Sequence, residues 1–302
     1  MSAHVAVLKG GWSVEREVSL VSGEACARAL EGAGYRVSQI DVGRDLAAVL
    51  QRLRPDVCFN ALHGRWGEDG CVQGLLELMG LPYTHSGVRA SANAMHKPTA
   101  KELFIAAGIA CAEGVTVSLA EARRQIPMAA PYVVKPAREG STVGVRIVRP
   151  NENLDPLAGW SFGEELLFER FVPGRELSVA VLDGRALGVI EIEPVSGFYD
   201  YDAKYTEGLA VHHMPARVPE EIYEKARRWA ETAHRVLGCR GVSRTDFRYD
   251  ETEGGGAGLY ILETNTQPGM TPLSLVPEIA GHEGMSFEAL VTWLVEDAGC
   301  DR

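Results

Sequence analysis

Apolar residues along the first third of the chain alternate between two spacings. Residues 4–9 and 35–42 are short runs with β-type composition, whereas residues 18–30 carry apolar side chains three and four apart, as one face of a helix requires. The alternation continues with a helix over 46–53, a strand over 57–62 and a helix over 72–79. Strand alternating with helix predicts a parallel sheet covered on both faces, the Rossmann-like α/β class. Such sheets bind ligands beyond the carboxyl ends of their strands. Those ends carry Gly10-Gly11 after the first strand and His63-Gly64 after the third, so both are candidate sites by position.

The pattern then changes. A helix over 99–107 stops near Gly108, and Ser118-Leu-Ala-Glu121 has the spacing of a capping box that starts another. Strands over 132–136, 143–148, 166–171, 176–182 and 186–193 follow too closely for helical crossovers, which predicts antiparallel pairing. Asp183-Gly184 between apolar flanks is the signal of a two-residue hairpin. Residues 196–208 are polar and aromatic with no period and predict a mobile loop. A helix over 219–237 precedes strands over 242–249 and 259–266, joined by the glycine-rich link 253–258, and a terminal helix covers 286–297. The whole reads as a mixed α/β and α+β chain without internal repeats. The change of pattern places a boundary near residue 95.

Composition narrows the class. At roughly 150 residues per domain, 302 residues make about two domains, and 46% hydrophobic with 24% charged side chains is ordinary for a globular protein. A net charge of −11 argues against a broad grip on nucleic acid. Cysteines 26, 58, 71, 111, 239 and 300 contain no C-x-x-C pair and are expected as buried thiols in a reducing compartment. The N-terminus lacks the succession of a signal peptide. The longest nearly apolar stretch, 103–112, is far short of the roughly 18 residues of a membrane helix. A cytoplasmic location without a membrane partner is therefore expected.

The strongest chemical signal lies in the last strand pair. Side chains two apart share a strand face, so Arg244, Asp246 and Arg248 align on one strand and Glu263 and Asn265 on its neighbour. Oxygen donors without His or Cys suit a hard cation such as Mg²⁺, which completes its shell with water and phosphate. The alternative is a solvated surface hairpin, against which stands the apolar run 259–262. A second signal is KPAREGSTVG, residues 135–144, a lysine ending one strand and a Gly/Ser-rich loop leading to the next. Backbone N–H groups in such a loop cradle phosphate, although a strand rather than a helix follows and the spacing is not that of a Walker A loop. The third is GGWSVEREVS, residues 10–19, where a glycine turn enters a helix N-terminus; Glu15 and Glu17 there also read as first-turn dipole partners. His63 reads equally as a structural histidine or a site residue. No G-x-S-x-G, H-E-x-x-H or early G-x-G-x-x-G is present, which disfavours a serine hydrolase, a zincin and a dinucleotide dehydrogenase. The residues point to a nucleoside triphosphate with Mg²⁺ on a non-Walker scaffold and leave ligase, kinase and regulatory module open.

At these residues the chain resembles the D-alanine–D-alanine ligase family of the ATP-grasp superfamily. The likeness runs in order through GGWSVEREVS, ALHGRWGEDG, KPAREGSTVG, FYDYDAKY, SRTDFR and ETNTQPGMTPLS. It implies three domains, here 1–95, 96–176 and 177–302, with ATP between the last two and 196–208 as an omega loop. It implies ligation of two D-alanines for peptidoglycan synthesis through a D-alanyl phosphate, giving ADP and phosphate. By matching motif, Asp246, Glu263 and Asn265 would hold two Mg²⁺ ions, with Mn²⁺ as a substitute. Lys97 and Lys135 would contact the nucleotide phosphates, Glu169, Arg170, Phe171 and Val172 would line the adenine slot, Glu176 would bind the ribose, and Ser141, Lys204 and Glu263 would also take part in nucleotide binding. Glu15 and His63 would bind the first D-alanine, Lys204 and Ser274 the second, and Arg244 with Gly269 the oxyanion. Ser141 and Tyr205 would join Glu15 in latching the loop, and tyrosine in the Lys-Tyr pair goes with dipeptide formation rather than D-alanyl-D-lactate. The chain departs from the family pattern at His96, Trp66 and Leu273. The resemblance further implies a homodimer. The rivals are another ATP-grasp carboxylate–amine ligase, a D-alanine–D-lactate ligase, and a silent nucleotide-binding module.

Overall fold

The structure, a computed structural model, describes residues 2–140, 142–152, 155–195, 208–254 and 257–300. The N-terminal sheet is built from β1 (His4–Lys9), β2 (Arg36–Asp41) and β3 (Val57–Asn60), all parallel, in the order β2-β1-β3. Its alternation decides its packing. Val5 and Val7 face α1 (Arg16–Gly32), while Ala6 and Leu8 face α2 (Leu46–Leu53) and α3 (Cys71–Met79). Helices cover both faces, as the alternating pattern predicts.

After α4 (Val88–Met95) and α5 (Lys97–Ala106) come two antiparallel sheets. The first orders β4 (Gly114–Ser118), β7 (Glu165–Arg170), β5 (Tyr132–Pro136) and β6 (Arg146–Val148), with α6 (Leu119–Arg124) packed beside it. The capping box at α6 forms as the spacing predicts: the Ser118 hydroxyl accepts from the Glu121 N–H, and the Glu121 carboxylate accepts from the Ser118 N–H. The second sheet runs β10 (Ala210–His213), β9 (Arg185–Pro194), β8 (Arg175–Leu182), β11 (Val242–Tyr249), β12 (Leu259–Asn265). Leu177, Val179, Phe247 and Ile261 turn one face onto α7 (Glu220–Leu237) and α5; Ala180, Ile190 and Val242 turn the other toward α8 (Leu275–His282), α9 (Phe287–Glu296) and α1. The β8–β9 hairpin turns at Asp183-Gly184, both with positive φ.

Several elements fall outside the sequence reading. β4, β10, α4 and α8 are additional, and the strand expected over 143–148 shortens to Arg146–Val148. Cysteines also depart from expectation: all six are free, but only Cys26 and Cys58 are buried, and Cys71 is exposed at the start of α3. Their shared environment was read from count and spacing, whereas burial depends on which helix face each occupies. The expected loop, apart from Gly208, and with it Lys204 and Tyr205, lies outside the described residues, as does Ser141.

Candidate active site

The β11–β12 pair sets the geometry. Arg244 lies directly opposite Asn265 and Asp246 directly opposite Glu263, so all four side chains share one face. A β-bulge produces that arrangement. Phe247 pairs with Ile261 in the core, and by simple alternation Glu263 would also point into that core. The register shifts between Asp246 and Phe247, leaving Leu262 as the extra residue and turning Glu263 to the opposite face beside Asp246. The Asp246 carboxylate accepts from Arg244 Nε at 2.9 Å, from Arg244 Nη2 at 2.7 Å and from the Ser178 hydroxyl at 2.6 Å. Lys97 Nζ stands 3.3 Å from Glu263 Oε2. The Asn265 carboxamide oxygen accepts from the Gln267 N–H at 2.7 Å.

Between the two antiparallel sheets lies a cleft of about 150 Å³. Lys97, Lys135, Glu169, Arg170, Phe171, Val172, Glu176, Asp246 and Glu263 all line it, so the structure brings together the described residues expected around a nucleotide. Glu169 sits 2.5 Å from both Lys135 Nζ and Lys101 Nζ. Burial by itself would raise the Glu169 carboxyl, but Lys135 and Lys101 outweigh it and hold it below the usual carboxylate range. Burial would likewise pull Lys135 down, yet the Glu169 charge overrides it and raises the ammonium. Lys135 is therefore charged at neutral pH although only 7% exposed. The turn from β7 to β8 is shaped by Arg248, which donates to the carbonyls of Val172 and Gly174 at 3.2 and 2.7 Å and pairs with Glu176 at 3.4 Å. Gly174 has φ +95°, and a Cβ there would collide with the Tyr249 carbonyl.

A smaller pocket adjoins this cleft, sharing Lys97, Glu139 and Glu263 with it and adding Glu15, His63, Glu68, Arg244 and Gly269. Glu15 occupies the position before α1, buried to 4% exposure, and its side chain does not cap the helix. Gly64, at φ +69°, leaves space that a Cβ would take from the Glu15 carboxylate. The tip of the 135–144 loop comes close as well, since a Cβ on Gly140 would stand 3.2 Å from Glu15 Oε2. His63 meets Ser22 Oγ at 3.0 Å through Nε2, and Glu68 Oε1 at 3.3 Å and the Gln267 carbonyl at 3.2 Å through Nδ1. Its ring ties the N-terminal loop to the segment after β12. Ser274 precedes α8, and its hydroxyl accepts from the Thr271 N–H at 2.9 Å, close to Gly269.

The sequence reading missed Lys101, Glu68, Glu139 and Gln267. Lys101 had a signal, since it lies one helical turn after Lys97 on the same face of α5. Glu68, Glu139 and Gln267 lie inside quoted motifs; Glu68 meets His63 of its own motif, whereas Gln267 meets Asn60 and His63 from about 200 residues away.

Two antiparallel sheets closing on a cleft lined by lysines and oxygen donors, joined to a parallel-sheet unit that supplies a buried carboxylate, make this an ATP-grasp protein. Two family models match, "D-ala D-ala ligase N-terminus" over residues 47–86 and "D-ala D-ala ligase C-terminus" over residues 104–296. The chain is 59% identical over 307 aligned residues to a D-alanine–D-alanine ligase of Methylorubrum extorquens, covering 100% of both. It is 57% identical to one of Parvibaculum lavamentivorans, covering 99% of this chain and 98% of that one. Among solved structures it is similar to the D-alanine–D-alanine ligase of Bacillus anthracis complexed with ATP, with TM-score 0.82, 26% identity and coverage of 98% and 97%. The VanG D-Ala:D-Ser ligase of Enterococcus faecalis aligns with TM-score 0.81, 29% identity and coverage of 98% and 99%. The chain belongs to the D-alanine–D-alanine ligase family.

Proposed function

We propose that this protein joins two D-alanines into D-alanyl-D-alanine for peptidoglycan synthesis, converting ATP to ADP and phosphate. The observation that carries this reading is the junction at Lys97, Glu139 and Glu263, where the elongated cleft opens into a small acidic pocket holding Glu15 and Arg244. Adenine lies along Glu169 to Val172, where the strand offers backbone polar groups, and the ribose meets Glu176. Lys97 and Lys135 neutralise phosphate charge.

Glu15 takes the ammonium of the first D-alanine, with His63 fixing the loop behind it. The substrate carboxylate then attacks the γ-phosphorus and ADP leaves. Phosphoryl transfer needs positioning and charge neutralisation rather than a protein nucleophile, and both are at hand. The amine of the second D-alanine attacks the resulting acyl phosphate, whose developing oxyanion is held by Arg244 and the Gly269 N–H. Phosphate departs as the peptide bond forms. Ser274 and Lys204 hold the second carboxylate, while Ser141 and Tyr205 latch the loop to exclude water, which would otherwise hydrolyse the acyl phosphate.

Asp246, Glu263 and Asn265 fit a hard divalent cation, since all are oxygen donors on one face and both carboxylates hold counter-cations there, Arg244 at 2.7 Å and Lys97 at 3.3 Å. Among the described residues no cluster of three or more His, Cys, Asp or Glu forms a cage of its own. Two Mg²⁺ ions, or Mn²⁺ in their place, would neutralise charge on the transferred phosphoryl group there. The division at 1–95, 96–176 and 177–302, a homodimeric state and a cytoplasmic location belong to the same reading; no helix among the described residues is long and apolar enough to cross a membrane.

A coupled ADP-release assay across D-amino and D-hydroxy acids tests the proposal. ADP should form only with ATP, Mg²⁺ and D-alanine together, with the dipeptide as product. Turnover without an acceptor amine would remove the ligase reading. D-Lactate, D-serine or L-alanine serving as well as D-alanine would remove the substrate claim.

A further inference from the structure

A separate cavity of about 160 Å³ lies beyond the carboxyl ends of the three parallel strands. The turns after β1, β2 and β3 and the first turns of α3 enclose it, with a floor of Val42, Leu46, Leu62, Val72 and Leu75. This is where an open parallel sheet binds ligands, yet of the residues lining it the proposed ligase reaction uses only His63, which also lines the substrate pocket. At the mouth stand Trp12 and Trp66, 44% and 38% exposed, with ring centroids 6.0 Å apart and planes inclined at 46°. The guanidinium of Arg44 lies 5.6 Å from the Trp12 ring and that of Arg65 4.5 Å from the Trp66 ring. Neither forms an ion pair among the described residues.

Charge distinguishes this cavity from the one beside it. The substrate pocket is lined by Glu15, Glu68, Glu139 and Glu263, whereas no Asp or Glu lines the second cavity, in a chain of net charge −11. Two cations without carboxylate partners, two half-exposed indoles and an apolar floor are left by the fold in one place. Trp66 adopts φ +76°, a conformation that a bulky side chain rarely takes, and it puts the ring at the rim. Residues held in this way cluster at ligand sites.

We propose that this cavity binds a small aromatic carboxylate, its ring between the tryptophans and the apolar floor and its anionic group on Arg44 and Arg65. The size is suitable, since an apolar cavity of about 150 Å³ takes one benzene ring. Planar, delocalised guanidinium pairs with carboxylate in two parallel hydrogen bonds and stacks on aromatic faces. Asp45 and Asp69 stand behind lining residues Gly43 and Cys71, but no carboxylate lines the cavity itself, so it is not built to receive the ammonium of free D-alanine.

Benzoate is the probe, titrated into the full chain while the indole N–H resonances of Trp12 and Trp66 are followed, with benzamide and benzylammonium in parallel. Benzoate should shift both resonances saturably, and the neutral and cationic analogues should bind at least about tenfold more weakly. The exposed double variant Arg44→Gln/Arg65→Gln should weaken benzoate by about the same factor, and Trp66→Gly, read at Trp12, should abolish saturation. Arg244→Ala should leave benzoate binding unchanged, which separates this site from the substrate pocket. Absence of saturable shifts, equal binding of benzamide, unchanged affinity in the double arginine variant, or loss of binding in Arg244→Ala would each overturn the proposal.

Discussion

Arg244 and Glu169 illustrate two different uses of charge. Arg244 is held against Asp246 through Nε and Nη2, so its fork is oriented before any substrate arrives. Removing one oxyanion donor costs about 10²-fold to 10³-fold in turnover; Arg244→Ala is expected to lose that much in kcat in the ADP-release assay, and near-normal turnover would remove the role proposed for it. Glu169 instead serves as the shared counter-charge of Lys101 and Lys135. Glu169→Ala leaves two ammonium groups close together with no carboxylate between them, and breaking a buried pair from one side costs about 3–5 kcal/mol, readable in denaturant unfolding. Because the folded carboxyl is held below its ordinary 4.5, the stabilisation is fully present above that pH and is lost as pH falls through the lowered value.

At the level of elements, the β7–β8 turn and the β12 bulge matter most. Gly174 joins the two antiparallel sheets at φ +95°, against the Tyr249 carbonyl. Gly174→Ala meets both the left-handed penalty of about 1–2 kcal/mol and a backbone collision, and the turn must move. Since that turn lines the nucleotide cleft, KM for ATP is expected to rise along with the loss of stability. Ser118→Ala provides the contrast: it removes the α6 cap at about 1 kcal/mol and should leave KM for ATP unchanged in the same assay. Equal effects of the two substitutions on KM would refute the positional argument. The bulge shows the limit of pattern reading, because period two correctly aligned Glu263 with Asn265 but could not tell that Glu263 turns away from the core face of Ile261.

For the whole molecule, Arg240 adds to the contacts of His63 and Asn60 with Gln267 in tying the parallel-sheet unit to the C-terminal part of the chain. Its guanidinium donates to the carbonyls of His85 at 2.8 Å, Tyr83 at 3.2 Å and Gly299 at 2.5 Å and lies 4.6 Å from the Tyr83 ring. Next to it, burial pulls His85 down to about 3, and burial also pulls His234 down to about 4. Both are neutral in the fold, whereas the unfolded chain takes up their protons near 6.5. Stability is therefore expected to be full above about pH 6.5 and to fall on acidification toward pH 4. His85→Asn, which suits φ +69°, should flatten the decline in thermal midpoint; an equally steep decline would place its origin elsewhere. Local pattern was enough to determine the alternating N-terminal elements, the Ser118 cap, the Asp183-Gly184 hairpin and the shared strand face of Arg244 with Asp246 and of Glu263 with Asn265, because each depends on spacings of two to four residues. It could not supply α4 or β10, whose short segments acquire structure from their neighbours, nor the exposure of Cys71. Only the tertiary structure decided that Lys101 shares Glu169 with Lys135, that His63 meets Gln267, and that two tryptophans and two arginines surround one apolar cavity. Those contacts join residues far apart in the chain, and burial and charge compensation at such meetings are properties of packing, to which no local period corresponds.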